Sequence, residues 1–246
     1  MTGGGLRKLL ESERSRPLAE REPPSGRPWV ALNMASSADG RATVGGTSGG
    51  LGSEADHRQF AALRREVDCV LVGTGTLATE RYGSIIRDPS AREERIHAGR
   101  APQPAACIVT RSGRLPLDIP LFHDPEQVVV VYTGAEVALD GVQAEVDVEH
   151  TSHKPTFGGA LRDLRARHDV RVALCEGGPR VVGALIAEGL IDEMFLTLSP
   201  MLVGGDGVKN VIEGPEEAPP VPLELIRVLE SDGYLFLRYL VSRVRA

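Results

Sequence analysis

Three short stretches gather residue types suited to holding phosphates and polar heterocycles. The first is Val72-Gly73-Thr74-Gly75-Thr76, at the end of an apolar run. Glycines let a ligand approach the backbone closely, and N–H groups at a helix start favour an anion. The spacing is not GxGxxG, since Leu77-Ala78 follow, and no Gly-Lys-Ser/Thr occurs. Taken alone, a tight strand-to-helix turn explains it equally well. The second is Leu174-Cys175-Glu176-Gly177-Gly178-Pro179. Its di-glycine would set N–H groups at a helix N-terminus, where a pyrophosphate is favoured. Glu176 would either cap that helix or hydrogen-bond a heterocycle or ribose. The third is Thr110-Arg111-Ser112-Gly113-Arg114. A guanidinium and a hydroxyl after a strand would clamp a 2′-phosphate, or simply form a solvated loop.

These stretches need strands to carry them. Apolar runs predict strands at Trp29–Met34, Val70–Gly73, Ala106–Thr110, Gln127–Tyr132, Ala144–Val148, Val170–Leu174 and Met194–Leu198. Helical spacing predicts helices over Glu54–Val67 with Ser53 as N-cap, over Phe157–His168, and over Arg180–Glu188 closed by Gly189. Residues 45–52 hold five glycines and read as a flexible loop. Leu223–Glu230 and Tyr234–Val241 flank Ser231-Asp232-Gly233 and predict a terminal hairpin. Alternating strands and helices followed by a strand-rich end imply an α/β fold, its sheet mostly parallel with antiparallel strands added late. Residues 28–246 show no composition break and read as one domain. Residues 1–27 read as an arm, with a short amphipathic helix at Leu6, Leu9 and Leu10 and no catalytic role. A dinucleotide across the strand ends fits two glycine turns and a basic clamp.

The bulk properties exclude other classes. A net charge of −6 argues against a nucleic-acid or anionic-membrane surface. No apolar run is long enough to span a bilayer and no signal-peptide core follows Lys8, so a cytoplasmic protein is expected. Cys69, Cys107 and Cys175 form no CxxC pair and read as buried small hydrophobes. The six histidines show no HxE or HExxH spacing, and no metal is expected.

The run Asn33-Met-Ala-Ser-Ser-Ala-Asp39-Gly-Arg-Ala-Thr43 closely resembles the opening of the reductase domain of riboflavin-pathway pyrimidine reductases. The resemblance continues through Gly46-Thr47-Ser48, Leu63-Arg64 and Asp68-Cys-Val-Leu-Val-Gly-Thr-Gly-Thr76. It extends to Cys175-Glu-Gly-Gly-Pro179, Gly189-Leu-Ile-Asp-Glu193 and Ser199-Pro-Met-Leu-Val-Gly-Gly205. The motifs come in the family's order and span roughly 28–241. The resemblance implies a dihydrofolate-reductase-like mixed sheet flanked by helices, a homodimer, and hydride transfer from NADPH to the ribose C1′ of a phosphoribosylaminopyrimidine such as 5-amino-6-(5-phosphoribosylamino)uracil. It places Ala35 and Gly50 at the nicotinamide end. Gly73, Thr74, Gly75, Thr76, Glu80, Arg111 and Ser112 fall on the cofactor. So do Gly177, Gly178, Pro179, Arg180, Val181, Val182, Gly183 and Ala184. Ser48, Arg64, Arg87 and Glu176 match substrate contacts, with Asn33, Asp39 and Glu176 nearest the chemistry.

Three positions depart from the family pattern. Asn33 stands where many members carry a lysine, and an amide cannot supply that charge. Thr79-Glu80-Arg81-Tyr82-Gly83 replaces an Asp-Asp-Pro, and Gly50 replaces an aromatic residue. All lie on the implied substrate side. Two other functions stay open at this point: a dihydrofolate-reductase-like activity on a pterin, and a non-catalytic NADPH-binding protein. The deaminase that often precedes this domain needs HxE followed by PCxxC, and neither occurs here.

Overall fold

In the computed structural model, which describes residues 6–214 and 220–242, ten strands join one sheet. They are β1 (Arg7–Glu11), β2 (Trp29–Ser37), β3 (Cys69–Leu71), β4 (Ala105–Val109), β5 (Val128–Thr133), β6 (Glu145–His150), β7 (Val172–Cys175), β8 (Glu193–Ser199), β9 (Leu223–Ser231) and β10 (Tyr234–Val241). Their order is β1-β9-β10-β8-β2-β7-β3-β4-β5-β6. From β8 to β6 every neighbouring pair is parallel. β10 joins β8 antiparallel, and β9 and β1 extend that edge antiparallel.

The central parallel strands are buried on both faces because helices cover both sides. β3 and β7 are buried along their whole length. On one face, Leu63, Leu77 and Ala91 come from α1 (Glu54–Glu66), α2 (Thr74–Thr79) and α3 (Pro89–His97). On the other, Leu161, Leu164, Val182 and Leu185 come from α4 (Phe157–Arg167) and α5 (Pro179–Ala187). Side-chain caps start three of the helices: Ser53 accepts from the Asp56 N–H, Asp88 from Ser90 and Thr156 from Gly159. Gly189, at φ +62°, closes α5. β8 and β10 alternate instead. Phe195, Thr197, Phe236 and Arg238 are buried, while Leu196, Leu198, Leu237 and Tyr239 are half-buried.

Two sequence expectations change. Leu9 and Leu10 lie in β1, not in a helix, and their side chains are exposed. The hairpin leaves β9 with an open edge, and pairing with it satisfies backbone groups that a short isolated helix would leave to water. The segment that follows is tied to the sheet by ion pairs. Arg21 makes two hydrogen bonds of 2.8 and 2.9 Å to Glu193, and Arg27 pairs with Asp192 at 2.7 and 2.8 Å. Glu193 is fully buried and also accepts from Arg238 and from Trp29 Nε1. The second change is α3, which the apolar periodicity did not reveal. Its start signal, Asp88 as cap with Pro89 in the first turn, was present in the sequence.

Pairing registers set the site. Leu32 and Leu71 both lie level with Cys175, so β3 and β7 end together while β2 runs on beside β8 to Ser37. Glu176 N–H donates to Leu71 O, and Gly73 N–H to Gly177 O. The two glycine turns are thereby locked side by side at the carboxyl edge of the sheet, where ligands of open α/β folds bind. All three cysteines are buried and unbridged. Among the described residues no helix is long and apolar enough to cross a membrane.

Candidate active site

A cavity of about 650 Å³ opens over that edge. This is an ordinary size for a cofactor or substrate cleft. β2 contributes Asn33, Met34 and Ala35 to its wall. Ser48 comes from the glycine-rich loop, Arg64 from α1, Thr76 and Glu80 from α2 and its end, Arg87 from the segment before α3, and Glu176 to Pro179 from the turn after β7.

At its centre lies an ion pair. Arg64 Nε and Nη2 donate to the two oxygens of Glu176, both at 2.7 Å. Tyr82 O–H donates to Glu176 Oε2 at 2.8 Å, and Arg64 Nη1 donates to Ile85 O at 2.9 Å. The Arg64 guanidinium stacks 4.0 Å from the centre of the Phe60 ring. The Glu176 side chain is 1% exposed and that of Arg64 14%, so both charges are satisfied inside the protein. Burial works to lower the Arg64 pKa, but the Glu176 carboxylate outweighs it and holds the guanidinium above its ordinary value. Burial and the same carboxylate push the Tyr82 phenol well up. The neighbouring Cys175 thiol is pushed up to about 12 by burial, which leaves it an inert hydrophobe.

The glycine turns are tight for a reason. A side chain at Gly178 would place its Cβ 2.7 Å from Thr76 Oγ1, and one at Gly177 3.2 Å from Met34 Sδ. Gly178 is the N-cap of α5 and supplies no capping side chain, Pro179 carries no N–H, and the Val181 N–H turns back to Gly178 O at 2.9 Å. Ser48 N–H donates to Glu80 Oε1 at 2.8 Å, which pins the glycine-rich loop to the end of α2.

Other expected site residues lie elsewhere. Asp39 is outside the cavity lining. It accepts from Ser37 Oγ at 2.6 Å, Gly204 N–H at 2.7 Å and Val203 N–H at 3.0 Å. The Ser37 hydroxyl and those backbone donors hold its carboxyl well below the usual range, and it ties the 37–41 turn to 203–204. Gly50 is exposed and outside the lining; a Cβ there would meet Val44 at 2.9 Å, and its neighbours Gly49 and Gly52 line the cavity instead. Gly73, Thr74 and Gly75 form the start of α2 without lining the cavity. Arg111 and Ser112 are exposed after β4, outside the lining. Of residues 180–184 none lines it. Arg180 points outward to Glu213, Val182 enters the core, and Gly183 packs so closely that a Cβ would lie 2.1 Å from Glu213 O. The helical repeat turns these side chains away from the turn that begins α5.

Sequence reasoning missed Asp56, Phe60, Tyr82 and Lys209, all of which line the cavity. The spacing of Asp56, Phe60 and Arg64 was a usable signal, because residues four apart share one helix face. Lys209 had none, since it arrives from a loop after β8. Apart from the cavity, Asp147, Glu149 and His168 bring ligand-type atoms together, with Arg167 paired to Glu149.

Residues 28–233 match the family model described as the RibD C-terminal domain. The chain is 27% identical over 191 residues to the 2,5-diamino-6-ribosylamino-4(3H)-pyrimidinone 5′-phosphate reductase of Archaeoglobus fulgidus, covering 76% of this chain and 87% of that one. It is 28% identical over 219 residues to the riboflavin biosynthesis protein RibD of Mycobacterium tuberculosis, covering 86% of this chain and 52% of the relative. In structure it is similar to a pyrimidine reductase-like protein from Corynebacterium diphtheriae, with a TM-score of 0.74, 26% identity, and coverage of 88% of this chain and 92% of the other. The sheet has the dihydrofolate-reductase-like arrangement of these proteins, and the chain belongs to the RibD C-terminal domain family.

Proposed function

We propose that this chain is an NADPH-dependent reductase of the riboflavin-pathway type, acting on 5-amino-6-(5-phosphoribosylamino)uracil or a related phosphoribosylaminopyrimidine. One observation carries this reading. A single cavity is lined both by a phosphate-type helix start, at Gly177 to Pro179, and by polar and basic side chains, at Ser48, Arg64 and Arg87. The named activity of the Archaeoglobus relative, which aligns with most of this chain, supports it.

The residues present fit a dinucleotide. The uncapped N-terminus of α5 suits a pyrophosphate, and the glycines there keep the backbone bare. Thr76 and Glu80 offer a hydroxyl and a carboxylate to the ribose beside it. Ala35 gives the nicotinamide a small neighbour at the end of β2. NADPH, when bound, supplies the hydride, and the protein supplies position and electrostatics. The C1′ carbon gains that hydride, its bond to the ring oxygen breaks, and the oxygen takes a proton.

The ion pair changes the expected division of labour. Arg64 is already neutralised by Glu176, so it braces the cavity and presents Glu176 in one orientation. The sugar phosphate instead meets the exposed cations of the lining, Arg87 and Lys209. Asn33 hydrogen-bonds substrate without carrying charge.

A homodimer is part of the same reading. Leu196, Leu198, Leu237 and Tyr239 lie on one half-buried face of β8 and β10, and Val228 and Leu10 continue the row across β9 and β1. An apolar sheet face of this kind suits a second copy of the chain.

Fluorescence titration with NADPH and NADH, followed by absorbance decay once the phosphoribosylaminopyrimidine is added, tests the function. Selective NADPH binding with oxidation is expected. Binding of neither nucleotide defeats the reading.

A further inference from the structure

We propose that Asp56 selects the pyrimidine ring, accepting two N–H donors from the edge of a 2-amino-4-oxopyrimidine and rejecting the 2,4-dioxo ring. The assignment rests on the reductase reading above; of the substrates named there it excludes the uracil compound, a 2,4-dioxo ring, and keeps the related 2-amino-4-oxopyrimidine.

Asp56, Phe60 and Arg64 follow one another at four-residue spacing along the cavity face of α1. Arg64 is held by Glu176, and its guanidinium covers the Phe60 ring. Among the described residues Asp56 pairs with no arginine or lysine, and its basic neighbour is His57, whose Nε2 would lie 3.3 Å from a Cβ placed on Gly52. Its Oδ1 accepts from the Thr197 hydroxyl at 2.5 Å, which fixes the plane of the carboxyl group. Thr197 is fully buried in β8, so this anchor is rigid. Beside Oδ2 stands Gly52, where a Cβ would lie only 2.9 Å away. The glycine keeps room around that oxygen at the cavity wall. Burial raises the Asp56 pKa, the Thr197 hydrogen bond and the nearby His57 opposing it, as for a carboxylate short of donors.

A 2-amino-4-oxopyrimidine presents N3–H and an exocyclic N–H side by side. That pair matches a carboxylate as the two N–H groups of a guanidinium do. The 2,4-dioxo ring presents N3–H flanked by carbonyl oxygens, and one of them would face a carboxylate oxygen. Discrimination follows from a repulsive contact as well as a missing one. The relative from Archaeoglobus is named for a 2,5-diaminopyrimidinone. If Asp56 selects that edge, reduction here precedes any hydrolytic deamination at C2. Pterins share the same edge, so Asp56 would also accept that class of ring.

The test uses the full chain and two bases that differ only at C2, namely 2,6-diaminopyrimidin-4(3H)-one and 6-aminouracil, titrated by ligand-detected NMR. The wild type is expected to prefer the diamino compound by roughly 10- to 100-fold, the worth of hydrogen bonds to a charged group. Asp56→Asn offers one acceptor and one donor, which suits the dioxo edge, and the preference should vanish or invert. Thr197→Val should narrow it while leaving the carboxylate in place. Equal affinity in the wild type, binding of neither base, or an unchanged preference in Asp56→Asn overturns the proposal. Turnover with NADPH is scored separately. A C2 preference that depends on Asp56, without turnover, supports the ring assignment and defeats the reductase reading alone.

Discussion

Arg64 and Glu176 stand 112 residues apart in the chain, yet they meet through two hydrogen bonds of 2.7 Å under the cavity. The pair is buried, so each partner depends on the other. Glu176→Gln removes the charge and leaves the guanidinium inside the protein uncompensated. We expect a stability loss of about 3 kcal/mol, and a kcat/KM at least about 100-fold lower because the cavity floor shifts. Arg64→Lys should not rescue the pair, since an ammonium cannot make the planar double contact. Denaturant titration with steady-state kinetics on both variants checks this, and near-wild-type values for Arg64→Lys would contradict it.

Asp56 makes the stability of the fold depend on pH in an unusual direction. Its folded pKa is raised by burial. The group therefore contributes fully below its unfolded value of about 3.9, and that contribution is lost as pH rises through the folded value. Asp56→Asn, which stays neutral, should be more stable than the wild type at pH 8, with the gap closing toward pH 3. Chemical denaturation at several pH values measures the gap. A gap that widens on acidification would refute the assignment.

Glu193 joins the segment before β2 to β2 and β10, accepting from Arg21, Trp29 and Arg238. Glu193→Ala strands two arginines that are 9% and 5% exposed at the side chain. A loss of about 3–5 kcal/mol is expected. Thermal unfolding should shift by roughly 2–4 °C per kcal/mol in a chain of this size.

Gly183 sits inside α5, where alanine would be favoured by about 1 kcal/mol on helix propensity. A Cβ there would meet Glu213 O at 2.1 Å, so α5 or the backbone at 213 must shift to admit it. Gly183→Ala should therefore destabilise by about 1–3 kcal/mol despite the better propensity. The same variant should weaken NADPH binding by moving the start of α5. Unfolding curves and nucleotide titration report the two effects.

Leu237 lies midway along the apolar row between Leu196 and Val228. Leu237→Glu should yield monomers if that face joins two copies. Sedimentation velocity distinguishes the states, and a wild type that is monomeric at micromolar concentration would remove this face from consideration.

The strand positions of the parallel half could be read from the residues because they are local. Val128 to Thr133 and Val172 to Cys175 are apolar runs bounded by turn residues, and Ser53 and Thr156 cap the helices that follow them. The family motifs were equally legible, as each is a short contiguous string. Residues 6–11 misled because three leucines in a charged segment fit a helix as well as a strand, and only the open edge of β9 chose between them.

The site required the folded chain. Glycine turns at 73 and 177 announced a ligand-binding edge, but nothing local joins Arg64 to Glu176, Asp56 to Thr197, or Arg21 to Glu193. Each of those contacts follows from sheet register and from the face a helix turns inward. Pattern and propensity act over a few residues and specify elements. Burial decides which charges must find partners, and that is settled only when distant elements pack.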